Sequence, residues 1–231
     1  MVNSRLVVDQ LVSEVVGRRR ESELVVAALS ADRHVLLEGP PGTGKSTLLR
    51  GVANAIGLGF EFVEGTAELT PARLIGHFDP ALVLAEGYSP DIFVDGPLVR
   101  ALRQGSLLYV EEINRVPEET LNALVTVMSE REVHVPRLGR VAAEPGFRLV
   151  AAMNPFDAVG TARIAGAVMT ESAGWQWTTS LQKMSDQSSL LNIMIQPRSS
   201  DSQRWNSFGR LERILTFELD RRCGAQSIFA S

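Results

Sequence analysis

Cysteine, lysine and long apolar runs are all scarce in this 231-residue chain. With Cys223 as its one cysteine, it can build neither an intramolecular disulfide framework nor a cysteine-rich zinc site. No run of about 18 apolar residues occurs, which argues against a membrane-spanning helix. Residues 1–10 carry Arg5 and Asp9 and no uninterrupted apolar segment, so no secretory leader is expected and the expected compartment is the cytoplasm. A formal net charge of −4 gives no basic excess of the kind a dedicated nucleic-acid binder carries. His34, His77 and His134 lie far apart without metal-ligand spacing and read as core or surface residues. Lys45 and Lys183 are the two lysines, and the other basic side chains are arginines or histidines. Valine is distributed unevenly: residues 1–168 hold 24 and residues 169–231 none, while Trp175, Trp177 and Trp205 all follow the break.

What is present has α/β character. Apolar spacing of three to four residues predicts helix over much of 3–31, again over 46–56, 98–103 and 117–130. Short apolar runs predict strands at 34–38, 60–63, 106–110 and 147–152, with a further strand or hairpin arm at 133–135. Residues 65–97 are rich in Gly, Pro and Asp and read as loops with one or two short elements. Strands alternating with helices imply a mostly parallel sheet.

The first chemical signal lies between a predicted strand and a predicted helix. Gly39-Pro40-Pro41-Gly42-Thr43-Gly44-Lys45-Ser46, followed by Thr47, fits the phosphate-binding loop G-x-x-x-x-G-K-[ST]. Glycines let backbone N–H groups curl round phosphate oxygens, and the helix N-terminus adds partial positive charge. Lys45 is placed to reach the β- and γ-phosphates, and the Ser46 hydroxyl to ligate Mg²⁺. The single lysine of the first 168 residues thus stands where a compact ammonium is needed.

Further along, Leu107-Leu108-Tyr109-Val110-Glu111-Glu112 is an apolar strand ending in two acids. Behind a phosphate loop, Glu111 takes the role of holding Mg²⁺ and Glu112 that of polarising the attacking water. Asn154, at the end of the last core strand, is placed to orient that water. The guanine-reading Asn-Lys-x-Asp tetrapeptide is absent, which favours ATP over GTP.

These pieces together resemble the MoxR-type AAA+ ATPases of the dynein-related AAA group. The resemblance is carried by Val15-Val16-Gly17-Arg18, by 36–46, by Gly96-Pro97 with Ala101 and Gly105, by Glu112-Ile113-Asn114-Arg115-Val116-Pro117, by 128–133 and by 151–155. It spans roughly residues 11–168 and implies a P-loop AAA+ core with a mostly parallel, five-stranded sheet flanked by helices. It further implies ATP and Mg²⁺ as ligands, a homo-oligomeric hexameric ring, a protein client to be remodelled or matured, and partners bearing a von Willebrand factor A domain. Glu111 stands where the family usually has Asp, and 133–148 corresponds to a family hairpin insert.

The expected organisation is an N-terminal helical linker at 1–32, an ATPase core at 33–168 and an atypical tail at 169–231. The family pattern continues into an Asp-Arg pair and a helical lid; Met169-Thr170-Glu171-Ser172 does neither, so the lid is expected to be absent. We read the tail as translated out of frame and poorly folded, because inserting one nucleotide after codon 168 can restore the Asp-Arg pair and a lid-like segment. A genuine divergent extension is the competing reading. Arg131 and Arg163 read as surface or hairpin residues more readily than as substitutes for the missing trans-acting arginine. The expected activity is ATP hydrolysis coupled to client remodelling, impaired by loss of the lid; the alternative is a non-hydrolysing nucleotide-binding fragment. A small-molecule kinase fits the Glu111-to-Arg115 segment poorly. Sequencing the gene across codon 168 tests the tail reading: a family-like shifted frame is expected, and its absence contradicts the out-of-frame origin.

Overall fold

A computed structural model of the chain describes residues 19–40, 42–154, 176–178 and 192–195. The 1–18 part of the linker, the Gly17-Arg18 pair, Pro41, Arg163 and most of the tail, where the lid is expected to be absent, lie outside the described residues. Helix α1 (Arg19–Ser30) leads to strand β1 (Val35–Glu38) and, through the glycine-rich loop, to α2 (Lys45–Ile56). Strand β2 (Phe60–Glu64) follows, then a run of short elements: α3 (Pro71–Ile75), β3 (Gly76–Phe78), α4 (Pro80–Glu86), a 3₁₀ turn (Pro90–Ile92) and β4 (Phe93–Asp95). Next come α5 (Pro97–Gln104), β5 (Leu107–Glu111), a second 3₁₀ turn (Ile113–Arg115) and α6 (Glu118–Glu130). The hairpin β6 (Glu132–Val135) and β7 (Gly139–Ala142) precedes β8 (Arg148–Met153), and the tail contributes β9 (Gln176–Thr178) and β10 (Asn192–Ile195).

The central sheet has the order β2-β5-β8-β1-β10-β9. Its first four strands are parallel. Their near-continuous apolar sequences follow from burial on both faces. Successive side chains alternate across the sheet, so Leu36, Leu108, Val110, Leu149 and Ala151 face one core. That core is closed by Leu98, Val99 and Leu102 of α5 and by Leu121, Leu124 and Val127 of α6. Val35, Leu37, Leu107, Tyr109, Val150 and Ala152 face the other, against α1 and α2. The α1 contribution is Val25, Val26, Ala27, Ala28 and Leu29; the α2 contribution is Leu48, Leu49 and Val52. Burial of each valine or leucine among these contributes roughly 1.5–3 kcal/mol, and of each alanine well under that.

Two expectations need correction. The first is the five-stranded parallel sheet: among the described residues the parallel part has four strands. On the outer side of β1, where a further parallel strand would pair, β10 runs antiparallel, with Val35 opposite Ile195 and Glu38 opposite Asn192. Strand β9 pairs antiparallel with β10 in turn. Edge hydrogen-bonding groups of β1 are thereby taken by tail residues, which leaves no room beside β1 for a fifth parallel strand.

The second concerns 65–97, which holds three helical turns and an antiparallel strand pair, β3 with β4, rather than loops with one or two elements. Three times a capping residue precedes proline: Thr70-Pro71, Asp79-Pro80 and Ser89-Pro90. The Asp79 carboxylate accepts from Ala81 N (2.8 Å) and Leu82 N (3.3 Å), and Thr70 Oγ1 accepts from Arg73 N (3.3 Å). Proline costs nothing at the first helical position, where its missing N–H would have had no partner. The hairpin arm expected at 133–135 is present, with Val133 opposite Val141.

His34, just before β1, is a core histidine. Its Nδ1 accepts a hydrogen bond from Leu149 N at 2.8 Å, and its ring meets Phe147 edge-on with centroids 6.0 Å apart. Burial, aided by the positive charge of Arg131, lowers its pKa to about 4. The folded state therefore binds its proton later than the unfolded chain does. Stability is full above the unfolded value near 6.5 and is lost as pH falls toward 4, by on the order of 3 kcal/mol at the low end. Urea unfolding at a series of pH values is expected to show this decline, and His34→Gln, which keeps an acceptor for Leu149 N, is expected to flatten it.

Candidate functional site

Parallel pairing carries three strand ends to one edge. Glu38 of β1 is opposite Met153 of β8, and Gly39 N donates to Met153 O at 3.1 Å, so the loop leaves the sheet beside Asn154. On the other side of β8, Val110 pairs with Ala151, which brings Glu111 and Glu112 to the same edge. Ligands of parallel α/β sheets bind in the crevice outside the carboxyl ends of the strands. The sequence-predicted groups Lys45, Ser46, Glu111, Glu112 and Asn154 all stand at or beside this edge.

The loop between β1 and α2 is built on two left-handed glycines, Gly42 (φ 74°) and Gly44 (φ 75°). No atom lies within 4 Å of where a Cβ on either would sit, so backbone conformation and not crowding demands glycine there. Gly44 is also the residue before α2, and it offers no capping side chain. The first amides of a 12-residue helix are left without a side-chain cap, the arrangement in which a helix N-terminus receives an anion. Thr43 Oγ1 donates to Pro40 O at 3.0 Å and stiffens the loop. Thr47 is exposed in the first turn of α2.

Lys45 is 7% exposed. Its ammonium donates to Gly39 O (3.0 Å), Pro40 O (2.9 Å) and Thr43 Oγ1 (3.4 Å), three loop acceptors that offset the cost of burying the charge. Ser46 Oγ stands 3.4 Å from both carboxylate oxygens of Glu111, 65 residues away in sequence. Mg²⁺ usually takes one or two protein ligands and completes its shell with water and substrate phosphates. Ser46 and Glu111 are such a pair of oxygen donors, and the longer Glu111 side chain does reach Ser46. Beneath them Tyr109 is fully buried, and that burial raises its pKa above the usual phenol value, so it stays neutral.

Sequence reasoning missed several contributors. Gly65, the residue after β2, packs its α-carbon on the turn that carries the acids: a Cβ there would lie 2.4 Å from Glu112 O and 2.7 Å from Glu111 O. Gly65 N donates to Glu111 O at 2.7 Å. A glycine directly after a strand that neighbours the acidic strand was the available signal. Glu112 itself adopts a left-handed conformation, φ 50° and ψ 44°, uncommon for a residue with a Cβ. Its carboxylate is bound by Arg115 at 2.7 Å. Asn114, between them in the chain, is buried with neither end of its amide hydrogen-bonded. Gly65→Ala is expected to displace the Glu111–Glu112 backbone and destabilise the fold by about 1–3 kcal/mol, seen as a fall of several degrees in Tm. An unchanged Tm would contradict the close approach.

Comparison with known proteins gives the family and the fold. The family model described as an AAA domain of the dynein-related subfamily matches residues 34–169. An uncharacterized protein of Staphylococcus epidermidis (strain ATCC 12228) is 35% identical over 130 residues, covering 55% of this chain and 49% of the relative. An uncharacterized protein of Staphylococcus aureus (strain USA300) is also 35% identical over 130 residues, with the same coverage. The chain thus spans about half the length of the curated relatives it matches. Among solved structures, that of a candidate ATPase from Cytophaga hutchinsonii superimposes with a TM-score of 0.54 at 24% identity, over 68% of this chain and 44% of that one. That likeness concerns the fold. With the family model matching more than half of the chain, this protein belongs to the dynein-related subfamily of AAA domains.

Proposed function

We propose that the chain binds Mg-ATP at the 39–47 loop and hydrolyses it, as the ATPase part of a MoxR-like machine that remodels protein clients in the cytoplasm. The observation that carries this reading is the meeting of the Lys45 loop with the Ser46–Glu111 pair at one sheet edge. The residues fit the ligand. Open left-handed glycines, a helix start without a side-chain cap and a buried ammonium match a polyphosphate, and two adjacent oxygen donors match a hard cation.

In this reading the backbone of Gly39, Pro40, Pro41, Gly42, Thr43 and Gly44 surrounds the phosphates and Thr47 supports them. Lys45 exchanges loop carbonyls for phosphate oxygens. Ser46 and Glu111 hold Mg²⁺, which when bound neutralises charge on the phosphate oxygens. Glu112 accepts a proton from the attacking water, and Asn154 helps orient that water. A hexameric ring, a von Willebrand factor A partner and a protein client belong to the same proposal. The family match ends at residue 169, beside the compositional break, which supports reading the tail as outside the family's sequence pattern even though its β10 pairs with β1. Nucleic acid and membrane have no part in this reading. Among the described residues no helix is long and apolar enough to cross a membrane.

A non-hydrolysing nucleotide-binding fragment is the second reading. It is favoured by the antiparallel β10, which takes the β1 edge. Nucleotide titration and turnover separate the two. Lys45→Ala is expected to weaken ATP binding about 10–100-fold, the loss of a charge-assisted contact. Glu112→Gln is expected to keep ATP binding within a few-fold and lower turnover about 10²–10⁴-fold. Lys45-dependent binding without Glu112-dependent turnover selects the second reading; binding indifferent to Lys45→Ala contradicts both.

A further inference from the structure

The turn after β5 sorts its side chains by threes. In a 3₁₀ turn, residues three apart lie one above the other. Ile113 and Val116 both go inward, 3% and 6% exposed, and join the core beneath α6. Glu112 and Arg115 form the matching outward pair, at 28% and 52% side-chain exposure, joined at 2.7 Å between Arg115 Nη1 and Glu112 Oε2. Backbone bonds fix the turn that sets this register: Arg115 N donates to Glu112 O at 2.9 Å and Val116 N to Ile113 O at 3.1 Å. Glu112 is held in its left-handed conformation within this frame, with Gly65 close behind its carbonyl.

We propose that Arg115 is a positioning residue for Glu112: it binds one carboxylate oxygen and so aims the other toward the attacking water. The proposal rests on the ATPase reading above and adds a residue to it. Several features of the turn give this pair more than the weight of an ordinary surface salt bridge. The left-handed Glu112 backbone fixes where the Glu112 side chain starts, and the buried Ile113 and Val116 prevent the turn from rotating. The remaining freedom lies in the Glu112 side-chain torsions, which the guanidinium contact restricts. Arg115 acts through Glu112 and needs no contact with substrate.

The test compares ground-state and transition-state ligands on the full chain. One probe is a fluorescent ATP analogue with Mg²⁺; the other is Mg-ADP with aluminium fluoride, whose planar group mimics the transferring phosphoryl with its water in line. Arg115→Ala is expected to leave Mg-ATP affinity within twofold and to weaken the aluminium fluoride complex tenfold or more. Arg115→Lys is expected to recover most of that loss, since an ammonium can hold one carboxylate oxygen. In a Glu112→Gln background, Arg115→Ala is expected to cause no further loss. Thermal unfolding of each variant verifies that it is folded; if the alanine variant is not, Arg115→Gln, which removes the charge and is expected to show the same tenfold or greater loss, carries the comparison, and an unchanged aluminium fluoride affinity in it overturns the proposal.

An unchanged aluminium fluoride affinity in Arg115→Ala overturns the proposal, as does an equal loss with and without Glu112. A wild-type chain that binds ATP through Lys45 but gains nothing from aluminium fluoride overturns it while leaving nucleotide binding intact. Nucleotide binding independent of Lys45 overturns the nucleotide reading and this proposal together.

Discussion

Parallel hydrogen bonding among β1, β8 and β5 is the constraint on which the site depends. The register Glu38 to Met153 and Val110 to Ala151 makes three strands end at one level. From that level the phosphate-type loop, Asn154 and the two acids leave the sheet together. A one-residue slip of β5 would turn Glu111 to the opposite face and exchange the side chains of the two cores. Burial on both faces prevents it: Leu108 and Val110 fill one core while Leu107 and Tyr109 fill the other. The apolar core thus does more than hold the fold. It fixes, to within a residue, which carboxylate meets Ser46.

On this frame the loop itself carries a second tension. A buried lysine is tolerated because three loop acceptors surround its ammonium, two of them backbone carbonyls. These three acceptors are neutral, and a phosphate oxygen is a stronger partner for an ammonium than any one of them. The same logic applies at Ser46, whose 3.4 Å contacts to Glu111 are long hydrogen bonds between groups that a cation can draw together. Neither arrangement gains much by being left as it is, and each is arranged so that polyphosphate and cation improve it.

Much of this was legible in the sequence because the signals are local. Gly39 to Ser46 is a contiguous motif, the acids close an apolar strand, and Asn154 follows another. The family resemblance was legible too at its coarser level, that of the dynein-related AAA group. The fold between 65 and 97 was not, because proline and glycine were weighed as breakers there. Thr70-Pro71, Asp79-Pro80 and Ser89-Pro90 are helix starts, and the cap residue before each proline was the sign. Gly65 escaped for another reason, and Arg115, legible as part of the Glu112–Pro117 segment, was not legible as the partner of Glu112. The importance of Gly65 comes from a strand neighbour 46 residues on, and that of Arg115 from a 3₁₀ register that apolar periodicity does not reveal. The antiparallel β10 beside β1 was equally beyond reach, since the tail has no family pattern to read.

The central claim is that loop, serine and first acid form one Mg-nucleotide cradle. Calorimetric titration of the full chain with ATP, with Mg²⁺ and then with the metal chelated, tests it most directly when repeated on Ser46→Ala. The account predicts that Mg²⁺ strengthens ATP binding to the unaltered chain by tenfold or more, and that most of this gain disappears in Ser46→Ala. ATP binding that is the same with and without the metal in both proteins would contradict it.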